Sequence, residues 1–519
     1  MKRHIILILL LACTATFAFG AAQKEATTSV FRAAMTTNPL SLDEGFSSTT
    51  ATRQTSAYIF ETLFTFGDAY DIIPQLVDTY TVSADRLVYD MQLRKGIKFH
   101  NGKEMTAEDV KASFDRFVTG THLAGATFKE VKSLEITGPY SIRFTLGAPI
   151  TLLESLALPP RMIIIPKEIA EKNKTNELRG ADVIGTGPYK LGEWLPDVHV
   201  KFLKFTDYVP DSRYDKATGL GGKRIAMFDE IFFLPVPEAE SRIAGLETGE
   251  FDFAESIPVT SYSRISKNSN VISSIVKPRW SILVELNHAE PPMNNLDFRK
   301  ALVHALDMGK VLQAVSSGVG TFVRLDPSLF AEEQAYFTTI GSGGIYNNQD
   351  LAKVKEYLAK AGYKGEQITY LVNKDFDWMY KACISLSEQW QAAGINVKLE
   401  FYDWASQIKK AQSLKGWHIN QTGWSPRLDP AVVISSFKSG LVTSYNYANP
   451  KMDKLLDDIR IGNDFTVRKS IWDQIQKLVW DDIANIKIGD YFELEAINKK
   501  YQGFTSFYVI PRFWNVSAK

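Results

Sequence analysis

Three tryptophan-bearing segments hold the residues best suited to gripping another molecule. Trp378 lies in Asn373-Lys374-Asp375-Phe376-Asp377-Trp378, Trp404 in Tyr402-Asp403-Trp404, and Trp424 in Thr422-Gly423-Trp424-Ser425-Pro426-Arg427. In each, a ring sits among turn-forming or polar residues. Rings at the ends of elements offer large rigid contact area with a polar edge, which suits a small-molecule cleft. The alternative is that the same rings pack two parts of the fold together.

Catalytic patterns are absent. The chain lacks the phosphate loop G-x-x-x-x-G-K-[ST], the nucleophile elbow G-x-S-x-G, and the metal patterns H-E-x-x-H and C-x-x-C. The seven histidines are scattered, and none forms a close ligand pair. Gly185-Thr186-Gly187 looks like a phosphate loop, but Pro188 follows where a helix would offer free N–H groups, so a turn is expected. Paired carboxylates for glycoside hydrolysis meet in space rather than in sequence and stay open. The balance favours binding over catalysis, with no cofactor and no metal.

The elements that position these residues alternate between helix and strand. Thr106-Ala107-Glu108-Asp109 forms a capping box, with Val110, Phe114 and Phe117 on one helical face behind it. Ser141–Leu146 alternates with period two, as do Trp280, Ile282, Val284 and Leu286. Phe298 to Leu306 has helical spacing, and so has Leu351 to Ala361, which Gly362 ends. Val397 to Phe401 reads as a strand, and Tyr380 to Trp390 as a helix holding Cys383 as a small buried residue. This interleaving predicts mixed α/β layers. A length of 519 residues allows about three domains or two large lobes. With 59 basic and 59 acidic residues there is no electrostatic footprint for nucleic acid.

The N-terminus sets the compartment. Lys2, Arg3 and His4 precede an apolar run from Ile5 to Phe19, and Ala18-Phe19-Gly20 supplies the small residues a signal peptidase reads. The run is about 15 residues, short of the roughly 20 a spanning helix needs. Residues 1–20 are therefore expected to be a signal peptide and 21–27 a flexible leader. Leu10-Leu11-Ala12-Cys13 also fits a lipidation site at Cys13, although soluble export is favoured. Cleavage leaves 57 basic against 59 acidic residues and one cysteine, so no internal disulfide.

Several segments, in order, resemble the large extracellular solute-binding proteins of peptide, nickel and glutathione ABC importers (family 5). They are Leu93-Arg94-Lys95-Gly96-Ile97-Lys98-Phe99-His100-Asn101-Gly102 running into Thr106-Ala107-Glu108-Asp109-Val110, the turn Gly185-Thr186-Gly187-Pro188-Tyr189, and Leu246 to Asp252. Asp297 to Asp307, Ala359 to Tyr363, and Asn449-Pro450 with Asp453, Leu455 and Leu456 continue the match. The resemblance implies a two-lobed periplasmic-binding-protein fold of the large class, with a hinge and an extra subdomain. Lobe 1 would comprise 28–278 and 490–519, with the subdomain at about 74–184, and lobe 2 would comprise 279–489. Trp280 to Asn287 would be one crossing strand.

The resemblance also implies a site. Peptide-binding relatives place an Asp in a W-x-x-D stretch to meet the ligand amine; here Arg427 stands close to that position. A guanidinium offers a bidentate fork to a carboxylate or phosphate and repels an amine. Arg427 is thus expected to anchor a carboxylate-bearing ligand beside Trp424. The alternative is that it pairs internally with Asp429 or another carboxylate. Trp404, Trp378, Phe376 and Asp375 occupy positions that line the pocket in relatives. Thr49 to Arg53 matches the loop of the first lobe that faces the cleft, with Arg53 a second cation, and Asn446 is a further contact. The implied function is a non-enzymatic, monomeric periplasmic component that captures a small peptide or peptide-like solute for an ABC permease and its ATPase. Competing expectations are an oligosaccharide- or opine-binding member of the same family, a secreted hydrolase acting on oligosaccharides or peptides, and a chemosensory or chaperone-like module.

Overall fold

Two long antiparallel strands, Val271–Leu286 and Asn485–Asn498, form the spine of the computed structural model. It describes residues 28–47, 49–120, 128–159, 161–462 and 464–519, without the side chain of Ile434. The expected signal peptide, leader and Cys13 lie outside these residues. On one side of the spine come Ile419–Trp424, Ile368–Asn373 and Val397–Tyr402. On the other come Phe253–Ile257, Val30–Met35, Glu230–Pro235, His199–Lys204 and Tyr189–Leu195. The short strand Val323–Arg324 pairs with Asn485–Asn498 to complete eleven. Both parallel and antiparallel pairs occur, as mixed α/β layers require.

Each half of the sheet has its own apolar core. One gathers Phe31, Tyr58, Phe202 and Phe233 with the C-terminal Phe513 and Trp514. The other gathers Ile282, Leu302, Trp390 and Trp480, with a satellite around Trp472. These are two lobes joined through the spine. Its register slips between Val276 and Trp280, where Pro278 has no N–H to give the ladder, and again between Ile282 and Leu283.

A separate four-stranded antiparallel sheet, ordered Val77–Val82, Val88–Leu93, Ser141–Leu146, Val131–Gly138, packs on the first core with the helix Ala107–Gly120. The capping box is formed: the amide and hydroxyl of Thr106 donate to Asp109 at 2.9 and 3.1 Å. Leu351–Ala361 is a helix, and Gly362 closes it at φ 71°. Cys383 is buried in Asp377–Ala392.

Two of the signature segments lock together. The imidazole of His100 contacts the Gly187 carbonyl at 3.0 Å and accepts from the Gly185 amide at 3.2 Å. Burial holds His100 down at about 4, so it is neutral. A Cβ on Gly185 would stand 2.1 Å from the Ile59 carbonyl, and one on Gly187 2.4 Å from that of Tyr58. These glycines let two backbones touch, and the segment is a packing turn.

Candidate functional site

Arg53 sits in the first turn of the helix Thr50–Ile59, whose N-terminus Thr49 caps by accepting from the Thr52 amide at 3.4 Å. Its guanidinium Nη1 donates to the Tyr508 hydroxyl at 2.9 Å. Tyr508 stands at φ 58° between the hairpin strands Thr505–Phe507 and Ile510–Arg512, so the C-terminal tail delivers this ring to the first lobe.

The second lobe approaches from Ile419–Trp424. Arg427, in the loop after that strand, lays its guanidinium 4.3 Å from the centroid of the Trp424 ring. Gln334 Nε2 fixes the loop by donating to the Arg427 carbonyl at 2.6 Å. Leu428, next in sequence, joins the core of the first lobe, so this loop crosses the boundary between lobes. Burial pushes Arg427 below the usual guanidinium value, while Tyr508 and Glu285 oppose the shift. Glu285 is itself pushed up by burial and accepts from Asn420 at 2.9 Å.

Neither Arg53 nor Arg427 forms an ion pair among the described residues, and the Nε of each is buried without a partner. Asp429, the internal partner considered for Arg427, is taken by Arg468 at 2.6 Å, and Arg468 also pairs with Glu154 at 2.8 Å. Guanidinia from both lobes therefore converge on Tyr508 with donors to spare. Beside Arg53 and Tyr508 lies a gap of about 10 Å³ that Leu428 also borders. On the other side of Leu428 lies a cavity of about 530 Å³.

The other expected residues fall into separate groups. Asp375 accepts from the Trp404 amide at 2.7 Å, and the half-exposed Phe376 meets Trp404 edge-on at 5.6 Å. Trp378 is in the first turn of a helix and is buried. It stacks between Trp280 and Tyr491 at 6.0 and 5.9 Å, against Gly423, whose Cβ would meet its ring at 2.1 Å. Trp378 therefore braces the spine. Asn446 donates to Asn287 Oδ1 at 2.8 Å.

Sequence reasoning missed Tyr508, Glu285 and an ionic cluster on the spine. There Arg279 Nε pairs with Glu493 at 2.8 Å, and Trp280 Nε1 donates to the same carboxylate at 2.8 Å. Glu495 lies beside them, pushed up to about 8 by burial and by Glu255 and Glu493. Nothing in the local pattern around these residues marks them out. They meet only through the long-range pairing of Val271–Leu286 with Asn485–Asn498.

Residues 71–443 match the model for bacterial extracellular solute-binding proteins, family 5 Middle. The chain belongs to this family. Family 5 proteins bind solutes rather than transform them, so this one is not an enzyme. Among its relatives is the glutathione-binding protein GsiB of Escherichia coli O6:K15:H31 (strain 536 / UPEC), 26% identical over 487 residues, covering 91% of each chain. The GsiB of Pectobacterium atrosepticum is 26% identical over 472 residues, covering 87% of this chain and 86% of its own. The fold matches that of the ABC transporter substrate-binding protein CtaP of Listeria monocytogenes, with TM-score 0.80, 22% identity, and coverage of 92% and 95%. It also matches DppA of Helicobacter pylori in complex with the peptide STSA, with TM-score 0.73, 22% identity, and coverage of 94% and 98%. No helix among the described residues is long and apolar enough to cross a membrane.

Proposed function

We propose that this family 5 protein is the substrate-binding component of an ABC importer and captures a small peptide or peptide-like solute by its carboxylate. The observation that carries this reading is the pair of guanidinia, Arg53 from one lobe and Arg427 from the other, neither of which forms an ion pair among the described residues. A ligand carboxylate placed between them takes the fork of Arg427 and replaces the Tyr508 hydroxyl as the partner of Arg53. That contact forms only when the lobes close, so the ligand favours the closed state through its differential affinity. Trp424, Trp404 and Phe376 offer ring surface to the body of the solute, and Asp375 and Asn446 hold the loops that present them.

Lobe 1 is assigned to 28–278 and 490–519, with a subdomain at 74–184, and lobe 2 to 279–489, with the spine as hinge. Residues 1–20 act as a signal peptide for the periplasm, where the monomer delivers its cargo to a membrane permease driven by an ATPase. Relatives named for glutathione, peptides and agropinic acid support an anionic or zwitterionic cargo.

Native mass spectrometry of the purified protein tests the reading. We expect an adduct with the mass of a carboxylate-bearing solute on the wild type and its loss from Arg427→Ala. An identical adduct on a folded Arg427→Ala variant removes the anchor.

A further inference from the structure

The 530 Å³ cavity lies within the range of about 300–1,000 Å³ typical of small-molecule sites. It sits between the four-stranded subdomain and the second lobe. The subdomain supplies Tyr80 and Arg86, with Glu154 from the helix Leu152–Ala157; the second lobe supplies Tyr336, Asp429 and Arg468.

Both guanidinia in its wall are committed to the protein. Arg86 donates to the carbonyls of Ile461 and Gly462 at 2.7 and 2.6 Å. Arg468 donates to Glu154, Asp429 and the Ile459 carbonyl. The carboxylates are in excess. Glu154 and Asp429 share the single charge of Arg468. Asp71 and Asp464, exposed at the rim, have no ion pair among the described residues; one oxygen of Asp464 accepts from the Val467 amide at 2.9 Å. Burial, and after it Asp429, pushes the Glu154 carboxyl up, while Arg468 and Arg86 oppose the shift.

The rest of the lining mixes small and aliphatic residues with rings. Tyr80 and Phe465 are 41% and 51% exposed, and Phe465 stands 5.2 Å from the ring of Tyr336. Open ring faces beside surplus carboxylates attract a cation. Leu428 borders both this cavity and the gap at Arg53 and Tyr508, which sets the two side by side.

The geometry points to a second subsite here, for an ammonium or guanidinium group of the same solute. This rests on the carboxylate reading of Arg427 and sharpens it: the cargo is a basic peptide or peptide-like zwitterion, held by its carboxylate between the lobes and by its cation against the subdomain.

Isothermal titration of the full mature chain with acetyl-Ala-Ala-Ala, acetyl-Lys-Ala-Ala and acetyl-Glu-Ala-Ala, each with a free C-terminal carboxylate, tests this. We expect the lysine peptide to bind at least tenfold more tightly than the alanine peptide and the glutamate peptide to bind more weakly than either. The lysine preference should fall toward unity in Asp464→Asn and in Ala335→Trp, which fills the cavity from an exposed position in its wall. Ala84→Trp, also exposed, fills it from the opposite side and should do the same. Equal binding of all three peptides to the wild type, or a lysine preference untouched by these variants, overturns the subsite and leaves the carboxylate reading standing. Failure of all three to bind overturns the peptide reading and this inference with it.

Discussion

Arg324 and Arg468 are arginines whose charge the protein cancels itself; Arg53 and Arg427 are not. Arg324 reaches Asp490, Glu332 and Glu333 at 2.7 to 3.0 Å, and Arg468 reaches Asp429 and Glu154 at 2.6 and 2.8 Å. Arg53 and Arg427 form no ion pair among the described residues and meet rings and a hydroxyl instead. A buried charge is costly unless paired. Full pairing inside the protein makes the first set structural. On the proposed reading, a solute from outside completes the pairing of the second set. The same side chain thus has two roles, and whether the protein's own carboxylates and carbonyls take up its donors tells them apart.

The largest break in this comparison should come on the paired side. Asp490 is buried against Lys487 at 2.7 Å and Arg324 at 2.7 Å. Burial works against its ionisation, yet the two cations hold its carboxyl below the usual range. Asp490→Ala leaves a buried Lys487 without its 2.7 Å partner, and chemical denaturation should show a loss of about 3–5 kcal/mol. A loss under about 1 kcal/mol would mean that the network does not bear on stability.

Glu495 gives the next largest effect, through pH. Its carboxyl is raised to about 8, chiefly by burial, so it stays protonated in the folded chain while the unfolded chain ionises near the ordinary 4.5. The folded state then binds one more proton between these values. Stability from this group is fully present below about 4.5 and declines as pH rises toward 8. Glu495→Gln should flatten that decline by roughly 2–4 kcal/mol between pH 5 and 9. Unchanged unfolding curves across that span would contradict the assignment.

Arg427→Ala should change stability least. It removes a buried cation that has no ion pair among the described residues and one contact with the Trp424 ring, so its unfolding free energy should stay within about 1 kcal/mol of the wild type. A loss as large as that of Asp490→Ala would place Arg427 on the structural side of the comparison.

Much of the scaffold is legible in the sequence, because local chemistry determines it. The strand Ser141–Leu146 follows from its alternation, the helix end at Gly362 from its left-handed residue, and the start of Ala107–Gly120 from its capping box. The crossing strand is legible from Trp280 to Leu286 but not from Val271 to Val276, since the register slip around Pro278 breaks the alternation. Arg427 stands out through the segment that carries it. Tyr508 does not, because 455 residues separate it from Arg53. The polar neighbours of Trp378 suggest an exposed loop, but the ring is buried by Trp280 and Tyr491 from distant strands.

The central claim, that a solute carboxylate completes the open guanidinia, meets its most direct test in calorimetric titration of one peptide in two forms. Acetyl-Lys-Ala-Ala as the free acid should bind at least thirtyfold more tightly than the same peptide as its C-terminal amide, and Arg427→Ala should abolish the difference. Equal affinity of acid and amide for the wild-type protein would contradict it.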